Sequence, residues 1–228
     1  MSDPIVFSGL TLDEANATAA YHSRLGATVT VSGDGTGLFK VEVDYTSAGT
    51  GQSDQGPDGG SVQIAWGKRV SADFKAKVIS ICTILECDPS HLMAAMAFET
   101  GETFSPTKQN VHSGATGLIQ FMPSTAASLG TSIQALLQMT AVEQLDVVQK
   151  YLMPFKGRMH SLSDVYMTIL FPVAVGKPES FVLFAFPSVA YTQNSGLDVN
   201  HDKQVTKGEA ASLVQKRLDQ GLSAGNRG

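Results

Sequence analysis

Cysteine is scarce in this sequence, with only Cys82 and Cys87 among 228 residues. Two thiols are too few for a disulfide framework, and no CxxC or Cys/His spacing indicates a zinc site. Both residues lie in a predicted helix, where a separation of five positions turns their side chains apart by roughly 140°. We therefore expect two core thiols that do not form a disulfide.

Long apolar runs and basic clusters are also missing. No run reaches the roughly 18 apolar residues that a transmembrane helix requires. The formal net charge is −5 and no Lys/Arg cluster stands out, which argues against a nucleic-acid partner. Residues 1–17 contain neither a basic leader nor a continuous apolar segment typical of a secretory signal. We expect a soluble protein that is made in a cytoplasm and does not insert into membranes.

The composition is that of a globular protein, with 43% hydrophobic and 16% charged residues. Residues 47–60 differ from the rest, because they contain no large apolar side chain and are rich in Gly, Ser, Asp and Gln. This composition predicts a flexible linker. The linker would separate a small N-terminal domain, residues 1–46, from a larger domain, residues 61–228.

The small domain is predicted to be a β-α-β-β unit. A short strand is expected at residues 4–9, a helix at 11–26, and two alternating strands at 28–45 around a Gly-Asp-Gly turn. Its size lies near the lower limit for independent folding, so we expect it to dock on another structure or to oligomerise.

The larger domain is predicted to be mainly α-helical, which makes the fold class α+β. Residues 180–186 are compatible with either a short buried strand or a helical turn. Helical patterns predict helices at residues 71–86, 89–100, 123–130, 131–152, 161–170 and 206–220. Asp88 can cap the second of these helices and Gly101 can close it.

One glutamate, Glu99, lies on the apolar side of the helix that is predicted to end at Gly101. Leu92, Ala95 and Met96 precede it by seven, four and three positions and share its face. Burial disfavours the ionised carboxylate, and the negative end of the helix dipole does the same. Both effects raise the pKa, as a general acid at a glycosidic oxygen requires. The alternative is a helix-end glutamate that points into solvent.

A second informative stretch is SGATGLIQFMPSTAASLG, residues 113–130. A turn of small residues is followed by an apolar run with one amide and by a helix that begins with proline. Gln120 lies between Ile119 and Phe121 and offers a donor and an acceptor beside an aromatic face. Such a combination suits a sugar ring with amide substituents.

These two stretches, ETG at 99–101 and SGATGLIQFMPSTAASLG at 113–130, resemble the two leading motifs of the lytic transglycosylase family in the lysozyme-like superfamily. Those motifs are a helix-terminal Glu-Ser/Thr-Gly and a Gly-Leu-x-Gln-x-Met-Pro segment. The resemblance covers most of residues 69–220 and is closest to bacteriophage cell-wall lysins. It implies a lysozyme-like catalytic domain that acts on bacterial peptidoglycan, either as a free endolysin or as a virion-associated lysin made in the host cytoplasm.

The resemblance also implies roles for individual residues. Glu99 matches the single catalytic acid, and Ser113 matches a hydroxyl residue near it. The cleft wall that holds the glycan would be formed by Gly117, Gln120, Phe121 and Met122.

The third family motif, Ala-Tyr-Asn-Ala-Gly, is not present as such. LFPVAVGKP at 170–178 and AYTQNSG at 190–196 occupy that region. We assign Tyr191 as the phenol near the glutamate, and the alternative is an ordinary surface or core tyrosine. Glu102, the other nearby carboxylate, is expected to be solvated.

A single acid suggests a mechanism that differs from that of most glycosidases, which use two carboxylates. Glu99 would protonate the leaving oxygen of the MurNAc-GlcNAc β-1,4 bond and then act as a base, with no cofactor. The resemblance implies attack by the sugar's own 6-hydroxyl, which leaves a 1,6-anhydro end. Attack by water would make the protein a muramidase. A non-catalytic wall-binding or virion structural protein with the same fold is the alternative from another class.

Residues 198–209, DVNHDKQVTKGE, have the ligand spacing of an EF-hand loop. Lys203 stands at the sixth position, where glycine normally makes the sharp turn. A lysine in the left-handed conformation there costs on the order of 1 kcal/mol. The alternative is a capped polar turn that leads into the last helix. Oxygen atoms for a structural Ca²⁺ ion would come from Asp198, Asn200, Asp202, the Gln204 backbone and Glu209, with Thr206 or a bridging water.

Overall fold

A computed structural model describes residues 5–12, 15–16, 18–19, 28–44 and 62–228. The chain divides into two compact units, Met1–Val62 and Gln63–Gly228. Helices dominate the larger unit and strands the smaller one, which confirms the predicted α+β class. The predicted linker at 47–60 lies outside the described residues.

The smaller unit contains a three-stranded antiparallel sheet. Strands β1 (Ile5–Leu10), β2 (Thr28–Gly33) and β3 (Phe39–Asp44) are arranged in the order β1-β3-β2. The turn between β2 and β3 is stabilised by Asp34, whose Oδ1 accepts a hydrogen bond from the Thr36 backbone N–H at 2.8 Å. All three predicted strands are confirmed. Of the predicted helix at 11–26, residues 12, 15, 16, 18 and 19 are helical and most others lie outside the described residues.

The larger unit is fully described from residue 62 onward and contains eight α-helices in that range. Ser71 and Asp88 cap the first two helices through their side chains, and the sequence predicts the Asp88 cap. The helices are α1 (Ala72–Leu85), α2 (Pro89–Thr100), α3 (Pro123–Ser128), α4 (Ile133–Leu136), α5 (Ala141–Leu152), α6 (Leu162–Leu170), α7 (Val189–Asn194) and α8 (Lys207–Leu222).

The single helix predicted at 131–152 is wrong, because two helices, α4 and α5, occupy this stretch. Thr140 interrupts it as the cap of α5. The Glu143 side chain accepts from the Thr140 backbone N–H at 2.7 Å, and Thr140 Oγ1 accepts from the Glu143 N–H at 3.2 Å. This reciprocal capping box starts a new helix even though the apolar pattern continues.

A two-stranded antiparallel sheet interrupts the helical unit. Strand β4 (Val182–Ala185) pairs with β5 (Gln204–Thr206), so residues 180–186 contain the strand and not the helical turn. Strand β5 forms the second half of the EF-hand-like stretch and leads directly into α8.

Helix α2 forms the centre of the core and contacts α1, α6 and α8. Its residues from Leu92 to Ala97 are completely buried, because the helix is apolar on all sides. A buried ion pair lies between α6 and α8, where Lys207 Nζ is 2.6 Å from Asp164 Oδ1. Lys207 Nζ also donates to the Lys177 carbonyl at 2.8 Å.

The corner between α1 and α2 differs from the expected course of the chain. Helix α1 ends at Leu85, and Glu86 has left-handed backbone angles with φ at 59°. Cys87 therefore lies outside the helix, and the expected angular separation from Cys82 is wrong. Both cysteines are free.

Among the described residues, no single helix is long and apolar enough to cross a membrane. The pair α1 and α2 passes that test jointly by length and composition, although the chain bends by 118° between them.

Candidate active site

Helix α2 ends where the sequence predicts, at Gly101, which has φ at 63°. The Glu102 N–H donates to the Ala97 carbonyl at 2.7 Å, and the Gly101 N–H donates to the Phe98 carbonyl at 3.4 Å. These two bonds form the Schellman motif, which closes a helix through a left-handed residue. Glu99 is thereby held in the last helical turn, two residues before the chain reverses.

The Glu99 side chain is partly exposed but mostly surrounded by protein. Burial raises its pKa from 4.5 to about 7. The negative end of the α2 dipole acts in the same direction. A carboxyl group with this pKa keeps its proton in about half of the molecules at neutral pH.

The negative charge of Glu99 acts on the phenol of Tyr166 on α6. Its ring packs edge-on against Phe98 with centroids 5.4 Å apart, and the residue is buried. Burial and the negative charge of Glu99 both raise the pKa of Tyr166, so its hydroxyl stays protonated. Nothing in the pattern around residue 166 distinguishes it from a core residue of an amphipathic helix, which is why the sequence did not indicate it.

Tyr191, which we assigned to this role from the sequence, has a different partner. Its hydroxyl donates to Asp198 Oδ2 at 2.7 Å, and its ring packs against Phe186. Of these two tyrosines, Tyr166 is the one whose pKa the charge of Glu99 raises.

The second nearby carboxylate is engaged in an ion pair. Glu102 Oε1 lies 3.1 Å from Nη1 of Arg217 on α8, and both side chains are about one-third exposed. The Glu102 carboxylate is therefore engaged by a cation of α8.

The segment between α2 and α3 folds into a compact loop, residues 106–122. Thr116 forms isolated antiparallel bridges to both Gln109 and Phe121. The backbone bonds between Thr116 and Phe121 are 3.0 and 2.8 Å long. Five residues predicted to bind substrate are brought together in this loop, namely Ser113, Gly117, Gln120, Phe121 and Met122.

A buried glutamine that the sequence did not single out holds this loop in place. Gln144 of α5 accepts from the Leu118 N–H at 2.7 Å and donates to the carbonyls of Pro106 at 3.0 Å and Leu136 at 3.2 Å. Gly117 passes directly above it with φ at 86°, and a Cβ there would lie 2.2 Å from Gln144 Oε1. Only glycine fits at position 117 without displacing this amide.

Gln120 uses its amide N–H groups within the protein. Its Nε2 donates to the Gly117 carbonyl at 3.0 Å and to the Lys108 carbonyl at 3.1 Å. The Gln120 amide donor, which the sequence predicts to bind a sugar, is therefore occupied. The Oε1 atom has no hydrogen-bond donor within the described part of the chain and remains an acceptor.

The other predicted wall residues differ in their exposure. Phe121 is 2% exposed and packs edge-on against Tyr151, so it supports the loop from inside and cannot offer its ring to a ligand. Met122 is 44% exposed at the start of α3. Ser113 is exposed in the turn, where its Oγ accepts from the Ala115 N–H at 3.3 Å.

The EF-hand-like stretch has the backbone turn that a cation loop requires. Lys203 adopts the left-handed region with φ at 69°, and its N–H donates to Asp198 Oδ2 at 3.0 Å. Burial pushes the pKa of Asp198 upward, but hydrogen bonds from Tyr191 and the Lys203 backbone hold it below its usual value. Asp198 Oδ1 is buried without a hydrogen-bond partner among the described residues.

The remaining candidate ligands bond within the loop. Asn200 Oδ1 accepts from the Asp202 N–H at 2.8 Å, and Asp202 Oδ1 accepts from the Gln204 N–H at 2.9 Å. Glu209 accepts from the Thr206 N–H at 2.9 Å as part of the capping box of α8. In the described ranges, no group of three or more His, Cys, Asp or Glu side chains is arranged to hold a metal ion.

No protein-family model matches this chain, and no curated protein is significantly similar to it.

Proposed function

We propose that the larger unit has a lysozyme-like arrangement and cleaves the glycan strands of bacterial peptidoglycan at the MurNAc-GlcNAc β-1,4 bond. The observation that carries this proposal is the Glu99 carboxyl group, whose pKa burial raises to about 7. An apolar environment that keeps a carboxylic acid protonated at neutral pH is a recurrent means of providing a general acid to a glycosidic oxygen.

Glu99 performs two proton transfers in this proposal. It first donates its proton to the leaving oxygen of the scissile bond. The resulting carboxylate then removes a proton from the nucleophile. Tyr166 contributes a neutral hydroxyl group near this carboxylate, since its own pKa is raised by burial and by Glu99.

The nucleophile is the 6-hydroxyl of the MurNAc residue at the scissile bond, assisted by the N-acetyl group of that residue. The product carries a 1,6-anhydro end. This choice is favoured because Glu102, the neighbouring carboxylate, is paired with Arg217 and does not offer a second catalytic acid. Attack by water at the same site would instead give a muramidase product.

The compact loop at residues 106–122 forms the glycan-binding wall in this proposal. Among the predicted wall residues, the available polar atom is Gln120 Oε1 and the exposed apolar side chain is Met122. Ser113 is exposed and can hydrogen-bond to a ligand. The protein would act on the cell wall as a free endolysin or as a virion-associated lysin, with residues 1–46 serving in docking or wall binding.

Calcium binding at residues 198–209 is a second proposal, carried by the orphaned oxygen of Asp198. A cation would satisfy Asp198 Oδ1, and Lys203 already adopts the turn that the sixth loop position requires. The role is structural, because the loop is not part of the proposed chemistry. The ligands would be Asp198, Asn200, Asp202, the Gln204 carbonyl and Glu209.

Purified peptidoglycan tests the main proposal with two matched variants. Glu99→Gln removes the transferable proton while keeping the side-chain shape, so wall clearing should be lost while binding to the wall persists. Glu102→Gln changes a neighbouring residue of the same type and should retain clearing. Clearing by Glu99→Gln at the wild-type rate would remove the assignment, and absence of clearing by the wild type would favour a non-catalytic wall-binding or virion structural protein.

A further inference from the structure

The two cysteines of the larger unit come together at the corner between α1 and α2. The left-handed residue Glu86 reverses the chain, and the Cys87 N–H donates to the Cys82 carbonyl at 3.0 Å. In this closing pattern the residue after the left-handed position folds back over the residue five positions earlier. Burial raises the pKa of the Cys82 thiol, and the neighbouring Cys87 thiol acts in the same direction.

We propose that Cys82 and Cys87 are an oxidisable dithiol that forms a disulfide across this helix end, with a small-molecule disulfide as the oxidant. The inference rests on the corner geometry and does not depend on the proposed glycan cleavage. Backbone atoms of the two residues are already in contact, so little movement of the chain is needed to join the sulfur atoms.

The two thiols differ in accessibility, which sets the order of the steps. Cys87 is half-buried and reachable from solvent, whereas Cys82 is 1% exposed. The Cys87 thiolate attacks one sulfur of the oxidant, forms a mixed disulfide and releases one small thiol. The Cys82 thiol then loses its proton to water and attacks the Cys87 sulfur, which forms the Cys82–Cys87 bond and releases the second small thiol. Two protein thiols are oxidised and one small disulfide is reduced.

The position of the bridge gives it a structural consequence. Cys87 immediately precedes Asp88, which caps α2 by accepting from the Ser90 N–H at 2.7 Å. A disulfide would therefore tie the end of α1 to the start of α2, the helix that carries Glu99. We expect the oxidised form to unfold at a higher temperature than the reduced form.

Treatment of the full-length chain with oxidised glutathione tests the proposal. Glu86 separates the two cysteines, so a Glu-specific protease places them on different peptides. We expect the native protein to lose the mass of two hydrogen atoms and to yield these two peptides joined until a reductant is added. A persistent glutathione adduct on Cys87 with Cys82 still free, a Cys87-linked dimer, or two unreacted thiols would each overturn the proposal.

The Cys82→Ala variant provides the matched control. Without the second thiol, glutathione should remain attached to Cys87. Because the wild-type peptide map alone decides between an internal bridge and the other products, the test does not depend on the folding of this variant.

Discussion

Replacing Glu99 by Gln should remove a loss of stability that the wild type undergoes as the pH rises, and the same change should abolish activity. Burial raises the pKa of the folded carboxyl group from 4.5 to about 7, whereas the unfolded chain returns it to its ordinary value. Between these two pH values the folded protein binds the proton more tightly than the unfolded chain does. The Glu99 contribution is therefore fully present below the unfolded pKa and is lost as the pH rises through the folded pKa.

The size of the effect follows from the two pKa values. At roughly 1.4 kcal/mol per pH unit, their difference corresponds to about 3 kcal/mol of unfolding free energy. Glutamine is neutral throughout and lacks this dependence. Between about pH 4 and about pH 8.5, the unfolding free energy of Glu99→Gln should therefore rise by about 3 kcal/mol relative to that of the wild type.

Urea unfolding can measure this change through Trp66, the single tryptophan of the chain, which is buried in the same unit. Glu102→Gln is the control, because it removes a partly exposed ion pair worth at most about 1 kcal/mol. If the stabilities of Glu99→Gln and the wild type run parallel across this pH range, the Glu99 carboxyl is not shielded, and its assignment as a general acid loses its physical basis.

Three further predictions concern the loop, the ion pair and the cation site. Gly117→Ala should lower the unfolding free energy by about 3 to 5 kcal/mol, because its Cβ would lie 2.2 Å from the buried Gln144 amide and displace it. Gly114→Ala is the control: the nearest atom to its Cβ is 3.8 Å away, so it should cost only about 1 kcal/mol from backbone strain. Burial raises the pKa of Asp164, but the bond from Lys207 and further hydrogen bonds hold this pKa below 3.8. The stability that the pair contributes is therefore present above that pH and lost in acid. Asp164→Asn should therefore cost about 3 to 5 kcal/mol at neutral pH and less in acid, as measured by urea unfolding; an equal cost at both pH values would contradict the pairing. Calcium should raise the melting temperature of the wild type but not that of Asp198→Asn, and equal melting with calcium and with chelator would show that the loop is only a turn.

Local signals predicted the parts of the fold that depend on neighbours in sequence. Helix α2 begins after Asp88 and ends before Gly101 as expected, because caps act within one helical turn. The break at Thr140 had a readable capping box, but the continuous apolar pattern obscured it. The β4–β5 pairing joins segments about 20 residues apart, and a strand of three residues carries too short a pattern to recognise.

The candidate site shows the same division between local and distant determinants. Glu99 was found because its helical face and its position at the helix end are both local properties. Tyr166 and Gln144 were not found, since their importance depends on contacts with other elements. The resemblance implies that Phe121 is a wall residue, whereas packing against Tyr151 buries it.

Mass spectrometry of the products released from purified peptidoglycan tests most directly whether Glu99 cleaves glycan strands. The full-length wild-type chain should release fragments that end in 1,6-anhydro MurNAc, and Glu99→Gln should release none. Fragments that end in reducing MurNAc would keep Glu99 as the acid and assign water as the nucleophile. Intact glycan strands after wild-type treatment, or the same fragments from Glu99→Gln, would contradict the central claim.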